Sequence, residues 1–141
     1  MAYSQDMRKA AIRHLRAAQI LYERGGPGEQ PGCKAVAGYL FGLAGELAIK
    51  ELMRESGMIP LPHEERRDDP FFAHFPVLKT LLSLTAKGRR AGDLRKISED
   101  SRLFQNWDVS MRYAPTKEIG AIWVETWKVS AERLVERMGT V

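Results

Sequence analysis

Side chains able to move a proton near neutral pH are few here: His14, His63, His74 and the single cysteine, Cys33, stand against 14 arginines. An imidazole can serve as general acid or base while a nearby arginine steadies a developing phosphorane charge. The two groups brought together in space would suit metal-free phosphodiester cleavage. Arg8 with His14, and Arg67 with His74, lie close in sequence, but so many arginines produce such pairs by coincidence. No histidine follows His74, so Arg112 has no imidazole partner in the C-terminal half. Cys33, next to Lys34 at a helix start, could favour a thiolate but has no histidine close in sequence. His63, Glu64, Asp68 and His74 are metal-capable residues of one loop without a compact ligand spacing. Gly25-Gly26-Pro27-Gly28 lacks the strand and lysine of a phosphate loop and reads as a turn. These residues predict no catalytic group, no metal and no cofactor.

Binding chemistry is better supplied. Arg112 and Tyr113, just before Pro115, offer a cation and an aromatic face to a nucleotide or phosphate. The alternative is that Arg112 neutralises Asp108, four residues earlier, and Tyr113 fills the end of a bundle. Glu46 and Lys50 are also four apart and can pair on a helix.

The elements that hold these residues read as helices throughout, because apolar positions recur every three or four residues and no alternating strand pattern is present. The first helix is expected from an N-cap at Ser4, with Met7, Ala11, Leu15, Ala18, Leu21 and Tyr22 inward, to a stop at Gly25-Gly26-Pro27. The central helix spans Ala35 to Met53 and buries Ala37, Leu40, Phe41, Ala44, Leu47, Ala48 and Leu52. Gly38, Gly42 and Gly45 share one side of it at a cost of up to ~1 kcal/mol each, which predicts close approach of a helix, within the chain or across a dimer. Pro60, Pro62 and Pro70 interrupt the pattern between residues 56 and 75, where the run from His63 to Asp69 reads as a solvated charge block. A short third helix starts at Pro76, with Leu78, Leu81 and Leu82 inward, and ends near Gly88. A fourth, from Asp93, carries Leu94, Ile97, Ser101, Phe104, Asp108 and Met111 on one stripe up to Pro115. The fifth is N-capped by Thr116 and buries Ile119, Trp123, Trp127, Ser130, Leu134 and Met138, with Ile122, Val129 and Val135 widening the stripe.

At 141 residues, 44% hydrophobic and 28% charged, the chain has material for one domain, residues 1–141, with a core and a charged surface. A net charge of +4 is too small to indicate nucleic-acid binding without clustering. Clusters exist at Arg8, Lys9, Arg13, Arg16 and Arg24, and at Arg89, Arg90, Arg95 and Lys96; each is a solvated face or a phosphate contact. No stretch approaches the ~20 apolar residues of a membrane span, and no apolar signal core opens the chain, so a cytoplasmic protein is expected.

The segment from Gly38 to Leu52, then His74-Phe75-Pro76-Val77-Leu78-Lys79-Thr80-Leu81-Leu82, then Met111-Arg112-Tyr113-Ala114-Pro115 before a last amphipathic helix, resembles the HEPN domain superfamily over about residues 5 to 138. The resemblance implies an all-α, four-to-five-helix up-and-down bundle, frequently a homodimer. It implies binding of a nucleotide, RNA or a protein partner such as a nucleotidyltransferase or an antitoxin. Many members are metal-independent ribonucleases with an arginine and a histidine near the start of the last long helix, and this chain lacks that histidine. The resemblance therefore implies a non-catalytic module with Arg112, Tyr113, His74, Lys50 and Glu46 at its ligand site. The alternatives are a toxin-like ribonuclease using His74 with Arg67 or Arg112, and a structural homodimer joined by the glycine face. His74 resembles the family's recurrent histidine before the short third helix, a capping or packing residue.

Overall fold

The computed structural model describes residues 3–24 and 32–139. These residues form five α-helices and no strand: α1 (Met7–Arg24), α2 (Gly32–Glu55), α3 (Val77–Thr85), α4 (Ala91–Glu99) and α5 (Ala121–Arg137). Short 3₁₀ turns occupy His63–Asp68, Pro70–Phe72, Val109–Tyr113 and Thr116–Glu118. The chain is an all-α helical bundle.

Helix α1 starts two residues later than expected because Asp6, not Ser4, caps it: its Oδ1 accepts the Lys9 N–H at 2.9 Å. A carboxylate there also meets the positive end of the helix dipole. Ala11, Leu15 and Ala18 face the core as the spacing predicts. The expected stop at Gly25-Gly26-Pro27, and the turn reading of Gly25 to Gly28, lie outside the described residues. Helix α2 ends where the pattern breaks. Gly57, at φ +89°, lets its own N–H reach the Arg54 carbonyl (3.0 Å) and the Met58 N–H reach that of Met53 (3.1 Å). This closes the helix, and the buried Met53 and Met58 supply the apolar contact that accompanies such a cap.

The paths of the chain ends follow from side-chain pairs. Arg8 of α1 bonds Glu55 at the end of α2, while Tyr22 meets Phe41 edge-on at 6.1 Å, so α1 and α2 are antiparallel. Gly38 lies against Val124 and Trp127, and Gly139 bonds Glu55, so α5 runs in the sense of α2. The segment containing α3 and α4 carries the chain back to make that direction possible.

Two expected elements differ. The fourth helix does not run to Pro115: α4 stops at Glu99, and Phe104 (φ 52°) and Asn106 (φ 66°) are left-handed. Leu94, Ile97 and Phe104 are buried as expected, but Ser101 and Asp108 are exposed, and the break lets the Phe104 and Trp107 rings turn onto α2. The fifth helix is not capped by Thr116. Thr116–Glu118 is a separate turn, Ile119 is extended, and Gly120 precedes α5. Its buried face is Val124, Trp127, Ala131, Leu134 and Met138; Ile122, 81% exposed, lies outside it.

Rings of the same chain fill the glycine face of α2. A Cβ on Gly42 would overlap the Trp107 indole, one on Gly45 the Phe104 ring, and one on Gly38 would sit 3.0 Å from Val124 Cγ2. Trp107 Nε1–H donates to the Gly38 carbonyl at 3.1 Å. Phe75 stacks on Phe104 at 4.7 Å, and Tyr39 stacks on Trp107 at 5.7 Å. Gly42 and Gly45 thus face aromatic side chains and not a helix backbone, and this buried face is not open to a second subunit.

Candidate functional site

Every third or fourth residue of α2 after the glycines lies toward the returning loop, and this puts Glu46 and Lys50 at its buried edge. Both are buried, Lys50 to 7% exposure. Glu46 holds the loop with both oxygens: Oε1 pairs with His74 Nδ1 and Oε2 accepts the Phe75 N–H, each at 2.8 Å. Burial raises the Glu46 carboxyl above its ordinary range, and the bonds from His74 and Phe75 oppose that. The His74 carbonyl accepts the Leu78 N–H, so this residue anchors the entry to α3 as well.

Asp69 completes this centre. At 1% exposure its Oδ2 accepts the Leu61 N–H (2.8 Å) and its Oδ1 the Phe71 N–H (2.9 Å). This corrects the reading of His63 to Asp69 as wholly solvated. The signal was present in the sequence: an aspartate directly before Pro70 is the N-cap and first-turn proline of a helical turn. Lys50 is influenced by both carboxylates, Glu46 and Asp69, which favour its charge, while burial lowers its pKa. No hydrogen bond or ion pair within 4.0 Å joins it to a described residue. Lys50 therefore acts as a field rather than a bonded partner, beside Glu46, which fastens His74 and Phe75 to α2, and Asp69, which ties Leu61 to Phe71 within the loop.

Arg112 and Tyr113 form a different, exposed cluster. The Arg112 guanidinium lies 4.8 Å from the Tyr113 ring centroid, and the Tyr39 and Tyr113 hydroxyls raise its pKa. Asp108 is bonded to Ser110, through its N–H at 2.8 Å and its hydroxyl at 2.7 Å, which lowers its pKa. It makes no ion pair with Arg112, so the expected four-residue pairing does not form. Of the five expected ligand residues, the structure unites Glu46, Lys50 and His74; Arg112 and Tyr113 bond none of those three. Sequence reasoning did not single out Tyr39 as the link from Arg112 to the Trp107 stack.

The other imidazoles are also engaged. His14 Nδ1 meets the Ala10 carbonyl at 2.8 Å, and Arg66 donates to His63 Nε2 at 2.8 Å. Arg8, of the first Arg–His spacing, bonds Glu55. Among the described residues no three metal-capable side chains converge, and no helix is long and apolar enough to cross a membrane. No protein-family model, curated protein or solved structure matches this chain.

Proposed function

We propose that this chain is a non-catalytic, HEPN-like helical binding module whose ligand is a nucleotide, a nucleic acid or a protein partner such as a nucleotidyltransferase. The observation that carries this reading is the fixed pairing of His74 with buried Glu46, with no bond to Arg112. An imidazole whose carboxylate partner also holds the Phe75 N–H is built to fasten a loop. The neighbouring cavity of about 530 Å³, between the start of α1, the end of α2 and Phe71, does not have His74 in its wall. A homodimer within this reading would use a surface other than the glycine face.

One observation favours the ribonuclease reading instead. The Glu46 bond fixes Nδ1 of a half-exposed His74 and leaves Nε2 as the ring nitrogen able to exchange a proton with a ligand. Incubating purified protein with RNA in EDTA separates the two. Intact RNA is the expected result; cleavage that His74→Ala abolishes would replace the binding module with a ribonuclease.

A further inference from the structure

We propose that the groove between α4 and α5 binds the phosphate backbone of a single-stranded nucleic acid, with Lys96, Arg102, Arg133 and Arg137 as its phosphate contacts. This rests on the binding-module reading and assigns it a surface that does not include Arg112 or Tyr113.

Two adjoining cavities, about 290 and 540 Å³, share walls at Asp100, Leu103, Ser130 and Arg133. Together they form one groove. Its lining carries the four cations against two carboxylates, Asp100 and Glu125. Both acids are already engaged: Asp100 Oδ1 accepts the Arg102 N–H at 3.0 Å, and Glu125 accepts the Tyr22 hydroxyl. The four cations have no hydrogen bond or ion pair with any described residue, unlike Arg8, Arg54, Arg90 and Lys128, which are spent on carboxylates elsewhere. With four unpaired cations against two engaged carboxylates, the groove keeps a net positive charge that calls for an external anion.

Ser130, Arg133 and Arg137 follow one another along a single ridge of α5, and the two arginines are separated by about 6 Å of helix rise. An extended row of cations suits a polyanion that runs along the groove better than one compact phosphate. No aromatic side chain lines either cavity, so there is no platform for stacking bases and no basis for sequence preference. Binding should therefore be sequence-independent, steep in salt and carried by the backbone.

Fluorescence anisotropy with a 5′-labelled oligouridine of about 20 nucleotides tests this at low and moderate salt. The double variant Arg133→Glu/Arg137→Glu is expected to weaken binding at least ~10-fold at low salt. The gentler Arg133→Gln/Arg137→Gln should reduce the slope of log K against log salt by about 1.4, two contacts at ~0.7 each. Arg13→Glu/Arg16→Glu, an equal charge change on exposed positions of α1, should cost less than ~3-fold. Circular dichroism should show unchanged helicity, since all four arginines are exposed. Absence of wild-type binding, unaltered binding by the groove variants, or an equal loss in the α1 control would each overturn the assignment. A failure of this kind leaves the RNA intact in EDTA and so differs from a failure of the binding-module reading, which shows as cleavage.

Discussion

Lys50 is a buried cation whose largest influence is burial, which lowers its pKa, while Glu46 and Asp69 favour its charge. Lys50→Met keeps the aliphatic volume and removes the positive charge beside Glu46 and Asp69, so a lowered urea-unfolding midpoint at neutral pH is the expected outcome. Glu46 sets a pH dependence of definite sign. Its folded pKa lies above the ordinary 4.5, so between the two values the native protein retains a proton that the unfolded chain has released. Unfolding free energy therefore falls as pH rises through that window, and Glu46→Gln should abolish this part of the slope in urea titrations. Lys50 acts with the opposite sign. Its folded pKa lies below 10.5, so stability rises with pH across its own window, and Lys50→Met should lack that rise. The sequence displays Glu46 and Lys50 as a plain four-residue helix pair. What it does not display is the loop that returns 19 to 29 residues later to cover them, since that depends on Phe75 bonding Glu46 and Asp69 lying within electrostatic reach of Lys50.

At the scale of elements, the glycine spacing of α2 is readable as a demand for close packing, but its partners are not. Gly38 meets the expected helix, through Val124 and Trp127 of α5, but the partners of Gly42 and Gly45 are rings from a non-helical turn, whose approach requires Phe104 and Asn106 to take a left-handed backbone that periodicity does not encode. Gly42→Ala places a methyl into the Trp107 ring and should cost about 3 kcal/mol or more, read as a lowered midpoint in thermal circular dichroism. Gly92→Ala, on α4 with nothing within 4 Å of the added carbon, should instead stabilise by up to ~1 kcal/mol. The contrast separates a packing requirement from the general cost of helical glycine. Cap residues read by type alone misplaced two helix starts, since Asp6 and not Ser4 caps α1 and Gly120 and not Thr116 precedes α5. Boundaries were also misread where a polar residue has two uses: Asp108 sits on a helical stripe by count, yet its carboxylate bonds Ser110 and starts a 3₁₀ turn.

For the molecule as a whole, the all-helical class follows from periodicity, and the central position of α2 follows from its run of small and apolar residues. The direction of α5 does not, because it is fixed by contacts such as Gly139 with Glu55, across 84 positions. The Glu55 carboxylate takes Arg8 at 2.9 Å, Arg90 at 2.5 Å and the Gly139 N–H at 3.2 Å. Residues 131 positions apart, Arg8 and Gly139, are thereby fastened to one side chain. A fluorescent donor and acceptor attached beside Arg8 and Gly139 should exchange energy almost completely in the native protein. Denaturation should extinguish the transfer as the coil swells toward a radius of gyration of roughly 40 Å. Glu55→Ala should dim it at rest, making this pair of dyes an optical gauge of whether the knot is tied.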